Sequence, residues 1–186
     1  MMRMMEYINN NSTEVKYIEY INEIKEWYKN GVLYNKTIKY LVKYVEYENG
    51  DKKWFKNEQL HRENDLPAIE YGNGNKAWYQ NGKLHRENDK PAIEYDSEKK
   101  WYIYGQLHRD NDQPAIEFNK GTKIWYQHGQ IHRDNDKPAI EYLDGTKEWY
   151  QHGKLHRDNK LPAIEKSNGE KTYYQNGKIL FTPLDI

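Results

Sequence analysis

The triplets His108-Arg109-Asp110, His132-Arg133-Asp134 and His156-Arg157-Asp158 each combine an imidazole, a fixed cation and a carboxylate. Those side chains serve proton transfer and phosphoryl transfer. Two earlier copies carry glutamate instead, His61-Arg62-Glu63 and His85-Arg86-Glu87. A kinase catalytic loop needs such a triplet with asparagine at a fixed distance, a glycine-rich phosphate loop, a strand lysine and Asp-Phe-Gly. None of these companions occurs, and Asn111, Asn135 and Asn159 follow their triplets directly, at the wrong spacing. An enzyme needs one active site, whereas this motif recurs five times at near-even spacing.

Metal ligation is the second chemistry to weigh, because His61, His85, His108, His132 and His156 recur in register. With two strands per repeat, equivalent positions lie about 9–10 Å apart along a sheet. A zinc-bound nitrogen lies about 2 Å from its ion, so successive histidines cannot share one. Each would need local carboxylates such as Asp65, Asp89, Asp112 and Asp136, and the fifth repeat has Lys160 there. The absence of cysteine removes disulfides and thiolate sites. The reading is no catalytic residue, no metal and no cofactor, with the triplets joining repeats. In it His85 covers Trp78 across a hairpin, and Arg86 forks to Glu94 or to Glu70 of the neighbouring repeat.

The elements that carry these triplets follow from a period. Trp54, Trp78, Trp101, Trp125 and Trp149, then Tyr173 in place of tryptophan, follow at steps of 24, 23, 24, 24 and 24 residues. A fixed period of this size means a repeat architecture. The stretch "IEYINEIKEWYKNGVL" (18–33) could pass for a helix, but it matches the later repeats at ten positions and is read as strand. The organisation is then an N-terminal segment 1–16, degenerate N-terminal repeats or cap 17–53, five regular repeats 54–172, and a C-terminal half-repeat cap 173–186. Atypical ends are what a stack of repeats needs to close its core.

Turn chemistry places two hairpins in each repeat. "WYQNGKL" (78–84) turns at Asn81-Gly82, whose residues both adopt positive φ in a two-residue hairpin. "AIEYGNGNKAWY" (68–79) turns around Asn73-Gly74, and "HRENDKP" between hairpins carries side-chain turns and a pairing-ending Pro91. A four-residue loop pairs Tyr71 with Lys76 and Ile69 with Trp78. In the repeat one residue shorter, a three-residue loop pairs Tyr95 with Lys99 and Ile93 with Trp101. Trp78 then stands opposite His85, one face carrying Ile69, Tyr71, Trp78 and His85. The other carries Ala68, Ala77, Tyr79, Leu84 and Arg86. The expected fold is all-β, an elongated antiparallel β-hairpin repeat array of about fourteen short strands, with a parallel β-helix second.

Composition limits the partners. The 186 residues hold 29 basic and 29 acidic side chains, so no electrostatic excess favours nucleic acid or an anionic membrane. Leu, Ile, Val and Phe are scarce, but 18 Tyr and 6 Trp supply the apolar surface and favour strands. No stretch is long and apolar enough for a signal peptide or a membrane span, so a cytoplasmic location is expected.

The stretches "WYQNGKLHRENDKPAIEY" and "EYLDGTKEWYQHGKLHR" resemble MORN-type repeats. They are closer to the variant W-Y-x-N-G-K-L-H-R-x-D-G-P-A unit of giant DNA viruses, phages and some bacteria, one branch of which is antitoxin-like. The resemblance covers about residues 17–180, and departs from the variant in having Asn88-Asp89-Lys90-Pro91 for Asp-Gly-Pro. It implies stacked hairpins in scaffolding or membrane-associated roles, and a viral source would place the chain in host cytoplasm or virion. The expected function is a non-enzymatic scaffold or adaptor for an as yet unidentified protein partner. A self-assembling structural component, docking through the C-terminal "ILFTPLDI", is the alternative. A glycan- or lipid-surface binder using Tyr79-type residues is another. The interaction candidates are the rows Trp78, Trp101, Trp125 and Trp149, Tyr79, His85, His108, His132 and His156, and Arg86, Arg109, Arg133 and Arg157.

Overall fold

A computed structural model describes residues 15–29 and 32–181 of the chain. Most of the 1–16 segment and the end of the C-terminal cap, "TPLDI", lie outside the described residues. Within them every regular element is a β-strand, paired antiparallel in hairpins that repeat with the 24-residue period. No described helix is long and apolar enough to cross a membrane. The chain forms two units, Met1–Lys83 and Leu84–Ile186.

In the first unit, two long strands, Val15–Lys29 and Val32–Tyr47, pair antiparallel, so the described residues of the helix-like 18–33 stretch are strand. Lys52–Lys56 pairs with the second of them, aligning Tyr44 with Trp54, and on its other side with Ile69–Glu70. Ile69–Glu70 continues to Lys76–Ala77, while Gln59–Leu60 folds back on Lys52–Lys56. In the second unit one sheet runs in the order Ile93–Glu94, Glu98–Lys100, Ile116–Phe118, Lys123–Ile124, Ile140–Glu141, Lys147–Glu148, Ile164–Glu165, Lys171–Gln175, Lys178–Phe181. Three separate two-stranded hairpins branch from it: Tyr102–Ile103 with Gln106–Leu107, Tyr126–Gln127 with Gln130–Ile131, and Tyr150–Gln151 with Lys154–Leu155.

The tryptophans are the corners where hairpins leave the sheet. Trp101, Trp125 and Trp149 belong to neither strand. Each gives its N–H to the alanine carbonyl of a sheet neighbour, as Trp101 to Ala115 at 2.8 Å, and its own carbonyl accepts the N–H of the facing histidine, as from His108 at 3.1 Å. The expected alignment of Trp with His across the hairpin is thus present. A single continuous meander is not, because the backbone turns at each Trp. The Ala and Ile next to each other, such as Ala115 and Ile116, are both buried. Strict alternation of faces fails because strands only two or three residues long end before a face is established.

The register differs from expectation by one residue. Ile69 faces Ala77 and Glu70 faces Lys76, so Ile69 does not face Trp78. Tyr71 closes the loop on Asn75, and Gly74, at φ +91°, gives its N–H to the Tyr71 carbonyl. Asn73 Oδ1 accepts the Asn75 N–H at 3.1 Å, and this side-chain turn holds a three-residue loop where four residues were expected. In the shorter repeat the loop is Asp96-Ser97, closed between Tyr95 and Glu98, and Ile93 faces Lys100. The deletion is absorbed in the loop, and the isoleucine still meets the residue before Trp.

One glycine is required by close approach. A Cβ on Gly72 would collide with the Asn49 carbonyl oxygen, in the neighbouring loop. Gly72→Ala therefore forces two loops apart, and a destabilisation of about 1–3 kcal/mol is expected in urea unfolding. An unchanged midpoint would show that the loops do not meet.

Candidate functional site

The five repeat arginines are held by their own loops and sheet strands. Arg62, Arg86, Arg109, Arg133 and Arg157 each donate from Nη1 to a proline carbonyl five residues on and to a glutamate eight residues on. The Arg86 bond to Glu94, at 2.6 Å, is the pairing expected for it. The guanidinium also stacks on the repeat's tryptophan, 3.8 Å from the Trp101 centroid for Arg109 and 3.7 Å from Trp125 for Arg133.

The remaining arginine donors reach the preceding repeat. Arg109 Nε and Nη2 donate to both oxygens of Asp89, at 2.8 and 3.0 Å. Arg133 holds Asp112 and Arg157 holds Asp136 in the same bidentate way. The partner across repeats is therefore the turn aspartate, where the sheet glutamate was expected. The indole N–H groups reach the same turns, Trp101 donating to the Asp89 carbonyl, Trp125 to that of Asp112 and Trp149 to that of Asp136, each at 3.0 Å. These turns are possible because Asn88-Asp89, Asn111-Asp112 and Asn135-Asp136 all adopt positive φ, the pattern of a type I′ turn.

The histidines complete the seam. The N–H of each hairpin-turn residue donates to Nδ1 of the histidine one repeat earlier: Asn81 to His61, Tyr104 to His85, His128 to His108, His152 to His132 and Asn176 to His156. With Nδ1 accepting, the neutral ring carries its proton on Nε2. That proton goes to the carboxylate two residues on in His108, His132 and His156, each 3.0 Å from Asp110, Asp134 or Asp158. The glutamate repeats differ. His61 Nε2 lies 3.0 Å from Glu63 without pointing at it, and His85 Nε2 is 3.8 Å from Glu87 with no hydrogen-bond partner. The turn glycines add one more link, Gly105, Gly129, Gly153 and Gly177 donating to the carbonyls of Leu84, Leu107, Ile131 and Leu155.

Charge follows these contacts. Hydrogen bonds from Arg133 hold the Asp112 carboxyl down at about 2, against partial burial and with help from Lys137. Arg109 lowers Asp89 in the same way. Burial pulls the Arg109 guanidinium down, but Asp89 and Glu117 outweigh it and hold it above its ordinary value. At Asp134 the Gln127 amide and then His132 lower the carboxyl. Burial raises the half-buried Tyr102, Tyr126 and Tyr150, with Glu148 raising Tyr150 further by accepting its hydroxyl.

In the second unit the structure thus brings His85, Arg86, Trp101, His108, Arg109, Trp125, His132, Arg133, Trp149, His156 and Arg157 into one row of joints between repeats. Trp78 sits in the first unit, its indole on the Asp65 carbonyl, and Tyr79 is half-buried in the strand Tyr79–Gln80. Sequence reasoning missed the turn aspartates as the arginine partners. The signal was available: Lys160 replaces that aspartate in the one repeat whose successor has Leu180-Phe181 for His-Arg. Among the described residues no three His, Cys, Asp or Glu side chains are grouped to hold a metal ion. At His108, His132 and His156 both ring nitrogens are already engaged, so these rings present no free base. No family model, curated protein or solved structure matches the chain.

Because the Asp112 carboxyl is held near 2 rather than 3.8, its stabilisation is complete above about pH 4 and lost as pH falls through 2. Asp112→Asn should flatten that limb of the stability curve in unfolding measured from pH 5 to 2. Asp112→Lys, copying Lys160, should destabilise more than Asp112→Asn at pH 7 by facing Arg133 with a like charge. Equal midpoints for the two variants would contradict the ion pair.

Proposed function

We propose that the chain is a non-enzymatic scaffold or adaptor that presents a regular, alternately charged sheet surface to an extended protein partner. The observation that carries the reading is the register of the second unit's sheet. Glu94, Lys99, Glu117, Lys123, Glu141, Lys147, Glu165 and Lys171 pair in unbroken cross-strand sequence. Each of the glutamates is held by an arginine of its own repeat. Lys99, Lys123 and Lys147 are exposed and make no ion pair among the described residues. Such a surface offers weak contacts repeated about every 10 Å, the geometry that suits multivalent recognition. The MORN-type resemblance supports a scaffolding role and extends the proposal to a viral chain acting in host cytoplasm or virion.

Self-association is the second reading, favoured by Ile179 and Leu180, which are exposed on the last strand, Lys178–Phe181. The two separate in one experiment. Wild-type chain and a Lys99→Gln, Lys123→Gln, Lys147→Gln variant, shown by circular dichroism to be folded, are used as bait in the cell that produces the protein. A partner held by wild type and lost by the variant is the expected result. A partner held equally by both would overturn the charged-surface reading. Return of the bait alone, with a mass in light scattering that rises with concentration, would put self-association first.

A further inference from the structure

Two equivalent grooves in the second unit differ by two exchanges of residue and by Asn111, which lines only the larger. One lies between the loop at 85–90 and the loop at 108–111, the other between 132–137 and 156–158. Residue for residue they share the same His, Arg, Asn, Asp, Lys, Trp and Tyr lining, except that Glu87 stands for Asp134 and Ile103 for Gln151. Their volumes are about 440 and about 230 Å³.

The two exchanges change the bonding along the groove. In the smaller groove Gln151 Nε2 donates to Asp158 at 3.2 Å, and Asp134 takes the Nε2 proton of His132. In the larger one Ile103 has no amide to offer Asp110, so an exposed apolar side chain replaces the bridge. Glu87 stands 3.8 Å from His85, and the His85 Nε2, on a ring more than nine-tenths buried, is left with no partner. A buried, unsatisfied N–H donor costs stability unless something accepts from it.

We propose that this groove is a binding site for a peptide that presents a basic side chain next to an apolar one. The apolar residue packs against Ile103. The basic side chain meets Glu87 and Asp110, two exposed carboxylates at the groove's mouth that no lysine or arginine among the described residues pairs with. The cations of the groove are already committed: Arg86 to Glu94, Arg109 to Asp89 and Glu117, and Lys90 to contacts of its own. With Glu87 swung aside toward the ligand's cation, the His85 Nε2–H donates to a main-chain carbonyl of the peptide. An acidic peptide meets only repulsion there.

The inference deepens the protein-binding reading and rests on it, and the test keeps the two apart. The full chain is titrated with the acetylated, amidated tripeptide Leu-Arg-Leu and, as control, Leu-Glu-Leu, following the Ile103 methyl and His85 ring signals by NMR. The basic peptide should give saturable shifts at both and the acidic one none. The variant Glu87→Asp, Ile103→Gln installs the residues found at 134 and 151, so it should fold with an equal or higher unfolding midpoint. It should bind the basic peptide at least tenfold more weakly. No saturable shift, equal binding of the acidic peptide, or undiminished binding by the folded variant would each overturn the site. If the site fails while the lysine variant still loses its partner, the charged-surface reading stands without the groove.

Discussion

The planar guanidinium of the repeat arginine is the joint on which the second unit depends. In Arg109 one face lies on Trp101, two N–H groups grip the Asp89 carboxylate, and the remaining edge serves the Pro114 carbonyl and Glu117. One side chain thereby ties the previous turn, its own loop and its own sheet strand. The half-buried charge is tolerated because its donors are satisfied and its counter-charges are close. Lysine, a point charge on a flexible stem, cannot make the paired bonds and the ring contact together. The effect of the preceding aspartate is visible at the start of the series. Arg62, for which no turn aspartate is paired, is 24 % exposed, against 13 % for Arg109.

This joint explains why several departures from the repeat occur together. Asp89, Asp112 and Asp136 serve the next repeat twice, by carboxylate to arginine and by carbonyl to the indole N–H. The last half-repeat has Tyr173 for Trp and Phe181 for Arg, so an aspartate at position 160 would have neither partner, and lysine stands there. His108, His132 and His156 obey the same economy, holding the next hairpin through Nδ1 and a carboxylate through Nε2. The side chains of these three triplets are thus engaged inside the seam, which directs attention to the surface between seams and to the groove beside His85, where the bonding pattern is broken.

Much of this was legible in the residues. The tryptophan spacing announced the repeat. Asn81-Gly82 and its equivalents announced two-residue turns, and both residues do have positive φ, as do His128-Gly129 and even Tyr104-Gly105. The Arg86–Glu94 pair could be expected because eight residues separate a loop from the strand beside it. The register was missed by one residue, since loops of three and four residues fit "YGNGNK" equally well by composition. The Asn73 side-chain bond that chooses between them is a matter of geometry.

What the sequence by itself determined is the antiparallel hairpin repeat, the positions of its turns and its altered ends, because these rest on local φ preferences and on a period that counting reveals. What only the tertiary structure decided is which repeat each polar group serves. The contacts of Arg109 with Asp89 and of His108 with the His128 N–H join residues twenty apart. They depend on the break at each tryptophan, which turns the hairpin out of the sheet and lays one repeat's turn on the next. Whether His85 finds a partner was decided there too: Glu87 stands 3.8 Å from its Nε2, where Asp110 lies 3.0 Å from that of His108.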